Sequence, residues 1–345
     1  MPGLYYVKLF VANILFYTGI LKILSVIKLK NRVIVLMYHR VLPEELFDQS
    51  CSHPGIIVSL QSFQKHLKFL KKHFTLLSAD TFVSVIGNKI PFPSRSCLIT
   101  FDDGWYDNYQ YAYPVLKREK ISAIIFLSTG FINSDKIFWQ ERLVFLLSKI
   151  YSQSKGNPDL KKSYRKILQI WGLDGIFNKE VYNIKTILFR YVDNFKKKKI
   201  DISKLLNELE FLVTDVPELH PVDRFMTWQD VGEMKRNGIS FGSHGVNHYR
   251  FTEIDTESIN SELQISKKML HEKLGDDPYS FSYPNGDFNK EALELVSCNN
   301  YKVAFGTTQG RIKSDDPPFS LKRINVHDDL TRHIPLFYCR LLGIF

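Results

Sequence analysis

The chain has 345 residues, with 46 Lys and Arg against 36 Asp and Glu, for a formal charge of +10 at pH 7. Hydrophobic residues at 44% and aromatics at 14% exclude disorder of the whole chain, and the length fits one large barrel-type domain or two ordinary ones. Four cysteines, Cys51, Cys97, Cys298 and Cys339, form no C-x-x-C pair, which argues against a disulfide framework or a cysteine-rich zinc site.

The positive charge is local. Residues 1–40 carry six basic side chains and no acid, residues 151–215 carry thirteen basic and eight acidic ones, and the remainder sums to −1. Neither block has a nucleic-acid recognition motif. Both suit a solvated face or an anionic surface such as a membrane or an acidic glycan.

In chain order, Leu9–Ile27 is nineteen residues with one charge, Lys22, and a weak point at Gly19. That is close to the ~20 apolar residues of a bilayer-spanning helix. It is a poor signal peptide, because its n-region is thin and no small-x-small site follows. Only about five residues, including Lys28, Lys30 and Arg32, separate it from the β-branched run Val33–Tyr38. An interfacial helix with lysines at headgroup level fits that short link at least as well as a spanning one, and a helix packed on the domain is the third reading. A spanning helix would put the main domain on the cytoplasmic side by its basic flank. Without membrane contact the chain is expected to be soluble in the cytoplasm. The boundaries drawn are an N-terminal helix over 1–32 and a domain over 33–345.

From Val33 onward, short apolar strands alternate with amphipathic helices. Strands are expected at Val33–Tyr38, Leu98–Phe101, Ala123–Leu127, Ile239–Ser243, Ser280–Tyr283, Lys302–Phe305 and Arg323–Val326. Helices are expected at Phe63–His73, Asn108–Glu119, Trp228–Asn237, Ile254–Leu274 and Asn289–Asn299, several with glycine stops such as Gly238 and Gly275. This alternation predicts an α/β fold with a parallel sheet closed, or nearly closed, into a barrel. Residues 131–225 break the pattern. They read as helices (Trp139–Tyr151, Tyr164–Trp171, Val181–Phe195, Ile202–Leu212) with a turn at the lysine run 196–199, hence a helical insertion. The apolar C-terminus, Ile334–Phe345, reads as a final helix packed on the domain, with membrane contact as the alternative.

Three features stand at strand ends, where barrel active sites are built. Leu98-Ile-Thr-Phe-Asp-Asp-Gly104 ends a strand in two adjacent carboxylates, which repel unless a cation compensates. One could bind a metal while the other acts as base, or the pair could merely cap a helix or make an Asp-Gly turn. Phe241-Gly-Ser-His-Gly-Val-Asn-His248 spaces His244 and His248 four apart, so on a helical turn both rings would face one way. With one carboxylate they would make a facial His-His-Asp set with open positions; two ordinary polar histidines are the bland reading. Phe281-Ser-Tyr-Pro-Asn-Gly286 ends a strand in a turn that exposes backbone N–H groups or simply reverses the chain.

In this order, Thr100-Phe-Asp-Asp-Gly104, Ser243-His-x-x-x-His248 and Tyr283-Pro-Asn-Gly286 resemble the motifs of the polysaccharide deacetylase family, carbohydrate esterase family 4. Met37-Tyr-His-Arg-Val41 is similar to the opening signature of its exopolysaccharide-associated branch. The resemblance covers roughly residues 33–130 and 225–330. It implies a distorted, incomplete (β/α) barrel and a metal-dependent hydrolase that removes acetyl groups from N-acetylated sugars of a surface polysaccharide or its lipid-linked precursor. Asp102 matches the catalytic base, and Asp103, His244 and His248 match the ligands of a divalent ion, usually Zn2+. The backbone of Asn285 would bind the oxyanion, with Tyr283 and His39 as further pocket residues and His327 as the general acid; a satisfied core histidine at His39 and a surface histidine at His327 are the bland readings.

Two departures bear on that assignment. Many members carry an arginine that orients the base where this chain has Ser282, and Gly245 replaces the usual hydroxyl residue after the first histidine. An O-acetyl esterase, or a catalytically silent glycan-binding protein on the same fold, are the competing functions; all three metal ligands are present, which disfavours the silent form.

Overall fold

The computed structural model describes residues 2–177, 184–198, 200–213 and 221–345. Contacts divide the chain into two compact units: 1–47, 54–135 and 225–345 form one, and 48–53 with 136–224 form the other.

The larger unit is built on seven parallel strands: β1 (Val33–Tyr38), β2 (Ser96–Phe101), β3 (Ile124–Leu127), β4 (Ser240–Ser243), β5 (Ser280–Ser282), β6 (Val303–Gln309) and β7 (Leu321–Asn325). Each pairs with the next in chain order, and β1 pairs with both β2 and β7, so the sheet closes on itself. Seven strands make the ring where a full (β/α) barrel has eight. Strands buried on both faces read as unbroken apolar runs, and β1 (VIVLMY) and β3 (IIFL) are buried at every position. The expected strands lie within a few residues of the observed ones. The largest difference is β6, whose last three residues, Thr307–Gln309, are exposed and so carry no apolar signal.

Short strands outside the ring were not expected. Thr75–Leu76 pairs with the start of β2, and Arg40–Leu42 pairs with Ile57–Ser59. Neither is long enough to show a period of two. The helix Ala79–Asn88 was also missed: its apolar face mixes Val and Ile with Phe82, although Ser78 caps it by accepting from the Thr81 N–H.

The N-terminal apolar stretch is two helices, Pro2–Tyr17 and Ile20–Lys28, bent by 84° at Gly19, which has a left-handed φ of 78°. Among the described residues, no single helix is long and apolar enough to cross a membrane. Ala12, Leu21 and Ser25 are buried, the Phe16 ring lies 6.4 Å from those of Phe69 and Tyr338, and Lys28 Nζ donates to the Leu342 carbonyl. The C-terminal helix Ile334–Leu341 is itself packed on the domain, with Leu336, Phe337, Tyr338, Cys339 and Leu341 buried.

The smaller unit is helical among its described residues. Trp139–Ser154, Pro158–Ile170, Ile184–Phe195 and Ile202–Glu210 enclose a core that includes Leu146, Leu168, Leu188 and Leu205, all fully buried. The expected insertion began at 131, but residues 131–135 belong to the barrel unit, where the Asn133 N–H donates to the Met226 carbonyl. The unit also recruits 48–53: Asp223 accepts from the Ser50 hydroxyl and the Cys51 N–H. Residues 181–183 of one expected helix, and Lys199 of the lysine run, lie outside the described residues.

Candidate active site

The motif residues follow the C-terminal ends of β1, β2, β4 and β5, the end of a parallel barrel where loops can converge. After β2, Asp103 (φ 80°) and Gly104 (φ 91°) both take left-handed backbone. A Cβ at Gly104 would come within 2.8 Å of Ile132 and Leu127 side-chain atoms, so only glycine fits there. This turn sends the two adjacent carboxylates to different partners.

Asp103 faces the histidines. Its Oδ1 lies 3.5 Å from Nε2 of His244 and 3.5 Å from Nε2 of His248, while its Oδ2 accepts from the Trp105 indole at 2.8 Å. The His244 N–H at Nδ1 donates to the Ser282 carbonyl at 2.6 Å, which orients the ring so that Nε2 points to Asp103, where it would offer its lone pair to a bound ion. One donor atom from each of the three residues lies within 4.8 Å of the others. Burial works against ionisation of Asp103, but the His244 hydrogen bond and the nearby His39, His248 and His244 charges outweigh it and hold the carboxyl well below its usual range. One carboxylate and two imidazoles of fixed orientation, with no fourth protein ligand in the cluster among the described residues, suit a divalent ion that keeps open positions. The two histidines do not sit on a helical turn, as their spacing suggested. They flank an irregular loop in which His248 has a φ of 58°, and it is the loop path that brings the rings to 5.0 Å.

Asp102 faces the barrel interior. Arg323, fully buried on β7, donates to both of its oxygens, Nη1 to Oδ1 and Nη2 to Oδ2, each at 2.7 Å. The Ser282 hydroxyl accepts from Arg323 at 2.8 Å and lies 3.3 Å from Asp102 Oδ2. Burial alone would raise the Asp102 pKa, but the Arg323 charge, assisted by His244 and His39, brings it below the ordinary value. The arginine absent at Ser282 is therefore supplied from another strand. Sequence reasoning gave Arg323 only as the start of a strand. The available signal was a cation at an inward-facing position of a barrel strand, which demands a buried anion.

The other expected site residues are distributed as follows. His39, after β1, puts Nε2 4.0 Å from Asp102 Oδ2, and burial lowers its pKa. Asn285 sits in a left-handed turn (φ 55°), beside Gly286, where a Cβ would meet Thr307 at 2.2 Å. Tyr283 is in the core instead: its ring packs against Phe251, Phe281 and Phe288, and its hydroxyl donates to the Phe319 carbonyl. Tyr283 follows Ser282, which faces Asp102, so by alternation its ring falls on the opposite side, in a cluster with the helix residues Ile259, Leu263 and Val296. His327 follows β7; the pairing of Met37 with Asn325 puts it in register with His39 on the same rim, and its Nδ1 is 3.8 Å from Asp329.

The sequence profile described as polysaccharide deacetylase matches residues 89–166 and 182–304. A poly-beta-1,6-N-acetyl-D-glucosamine N-deacetylase of Staphylococcus aureus is 33% identical over 315 residues, covering 88% of this chain and 82% of that protein. Among solved structures, the Streptococcus pyogenes deacetylase PplD superposes with a TM-score of 0.56 at 19% identity, over 87% of this chain and 95% of that one. IcaB from Ammonifex degensii gives 0.56 at 17% identity, over 90% and 97%. These two structures share the barrel fold. The profile match over more than half of the chain, and a third of the aligned residues shared with the staphylococcal protein, make this protein a member of the polysaccharide deacetylase family, a deacetylase of its exopolysaccharide-associated branch.

Proposed function

We propose that the chain hydrolyses the acetamido groups of a β-linked N-acetylglucosamine surface polysaccharide or its lipid-linked precursor, with Asp102 as general base. The observation that carries this reading is the pairing of Asp102 with Arg323 directly beside the Asp103, His244 and His248 donor set. A divalent ion held by those three residues would polarise the acetyl carbonyl and make a nearby water more acidic. Asp102, kept ionised by Arg323, takes the proton of the attacking water. The Asn285 turn offers backbone to the developing oxyanion, and His327 or His39 on the rim returns a proton to the departing amine. Atoms balance as water plus acetamide giving acetate and a free amine. The test is acetate release from partly acetylated β-1,6-glucosamine oligomers, with O-acetylated glycan as the comparison. Release from the O-acetylated glycan alone would replace this reading with the esterase.

The N-terminal helix pair supports membrane-surface attachment near such a substrate. One face is docked on the domain, while Tyr6, Phe10, Ile14, Ile23 and Ile27 are exposed on the pair, with Lys8, Lys22, Lys28, Lys30 and Arg32 around them and no acid before Glu44. An apolar face rimmed by cations complements an anionic bilayer surface. Flotation with phosphatidylglycerol-containing liposomes should carry the wild-type chain and not a Phe10→Glu/Ile14→Glu/Ile23→Glu variant. Equal flotation of the two would refute the attachment.

A further inference from the structure

The helix Thr256–Leu274 buries Ile259, Leu263, Ser266 and Leu270, and on that same apolar face it also buries an acid, Glu262. A carboxylate there is costly unless fully hydrogen-bonded. Its partners all lie in the loop between the two histidines. Oε2 accepts from the Val246 N–H at 2.6 Å and the Asn247 N–H at 2.9 Å, and Oε1 accepts from the Asn247 side-chain amide at 2.7 Å.

The loop is shaped around this acid. Gly245 has a φ of 76°, and a Cβ there would stand 2.7 Å from Glu262 Oε2. The position where the family usually has a hydroxyl residue is thus occupied from outside the loop. The loop's carbonyls are held on the opposite side: Gly245 accepts from the Thr129 N–H and Val246 from the Gly130 N–H, both at 3.0 Å. Ser266 on the same helix shares a hydrogen bond with Ser243 Oγ, which accepts from the Gly245 N–H. His248, at the end of the braced segment, has a φ of 58°. A histidine held in left-handed backbone costs about 1 kcal/mol and persists only where its surroundings enforce it.

We propose that Glu262 is a positioning residue that holds the 245–248 loop, and through it His248, in the geometry that lets Asp103, His244 and His248 share one ion. This rests on the reading of those three residues as a metal site. Without the carboxylate, two backbone N–H groups lose their acceptor and the His248 backbone is free to relax, so the third ligand is no longer fixed while the other two remain.

The test is Zn2+ affinity by competition titration, and the absorption spectrum of the Co2+ form, for the full chain and its variants. Glu262→Ala should weaken Zn2+ binding about 10- to 100-fold, as losses of ligand-orienting partners do, and should alter the Co2+ bands. Glu262→Gln retains one oxygen for the two backbone N–H groups, and the Asn247 amide can turn to complement the new one. It should bind within a few-fold of wild type, a rescue that loss of packing alone would not give. Where Glu262→Ala does not fold, Glu262→Asp, one carbon too short to reach the loop, serves in its place. The exposed Glu257→Gln on the same helix is the control. A folded Glu262→Ala or Glu262→Asp chain with wild-type Zn2+ affinity and an unchanged Co2+ spectrum would overturn the proposal. Wild type that binds no Zn2+, like Asp103→Ala, would overturn the metal reading itself, a distinguishable failure.

Discussion

Arg323 holds both oxygens of Asp102 at 2.7 Å, although one residue lies on the last strand of the ring and the other follows the second. The closed sheet makes this possible, because β1 alone separates β7 from β2. Replacing Arg323 by Met would leave a buried carboxylate without its cation, at a cost of about 3 kcal/mol or more in unfolding free energy. It should also lower kcat by about 100-fold or more, with KM little changed, since the guanidinium acts on the base. Zn2+ affinity should hold, because the donor set of Asp103, His244 and His248 does not include it. Urea unfolding, steady-state kinetics and metal titration check the three outcomes; loss of Zn2+ binding would mean that Arg323 supports the metal cluster.

The two neighbouring carboxylates should give opposite phenotypes. Asp102→Asn is expected to abolish acetate release and keep Zn2+, whereas Asp103→Ala is expected to lose both. Chelation of the wild-type protein should stop acetate release, and added Zn2+ should restore it. An Asp102→Asn chain as active as wild type would remove Asp102 from the role of base.

Trp105 holds the Asp103 oxygen that faces away from the histidines and so turns Oδ1 toward them. Its indole donates to Asp103 Oδ2, and its ring is held between the Arg40 guanidinium, 4.3 Å from the centroid, and the Phe225 ring, stacked at 4.4 Å. Arg40 is itself paired with Asp107 at 2.8 Å. Trp105→Phe keeps the sandwich and deletes only the donor, so Zn2+ affinity should fall about tenfold with the melting temperature nearly unchanged. Unchanged Zn2+ affinity would show that Asp103 needs no such restraint.

Much of this was legible in the sequence because strands buried on both faces leave unbroken apolar runs, and because Asp102, Asp103, His244 and His248 occur in a fixed order at strand ends. What surrounds them was not. Arg323 and Glu262 act across the fold, at sequence separations that no local period encodes, and Trp105 reaches Asp103 only because the intervening turn is left-handed. Arg323 and Glu262 looked like ordinary charges in a strand and a helix until their burial was known. Tyr283 erred in the other direction: adjacency to a motif suggested the pocket, while the alternation of the strand put its ring in the core. The helical reading of His244 and His248 failed because Gly245 and His248 take left-handed backbone, which residue spacing does not reveal.

Buried His66 ties the barrel to the C-terminal helix and gives the fold a pH dependence. Its Nε2–H donates to the Thr331 carbonyl at 2.7 Å, its Nδ1 lies 3.2 Å from the Tyr38 hydroxyl, and its ring stacks on Phe337 at 3.9 Å. Burial raises the Tyr38 pKa well above its ordinary value, so that hydroxyl stays protonated and donates to Nδ1. Burial likewise pushes His66 down, to about 4. The unfolded chain takes up this proton near pH 6.5 and the native chain only near pH 4. The stabilisation from neutral His66 is therefore complete above pH 6.5 and is lost as pH falls from there toward 4. Over that window it amounts to about 3 kcal/mol, of which about 2 kcal/mol is gone by pH 5. Urea unfolding of wild type and His66→Phe at pH 7.5 and pH 5 measures it. The phenylalanine variant should lose about 2 kcal/mol less than wild type between the two pH values, and parallel losses would show that another group sets the acid sensitivity.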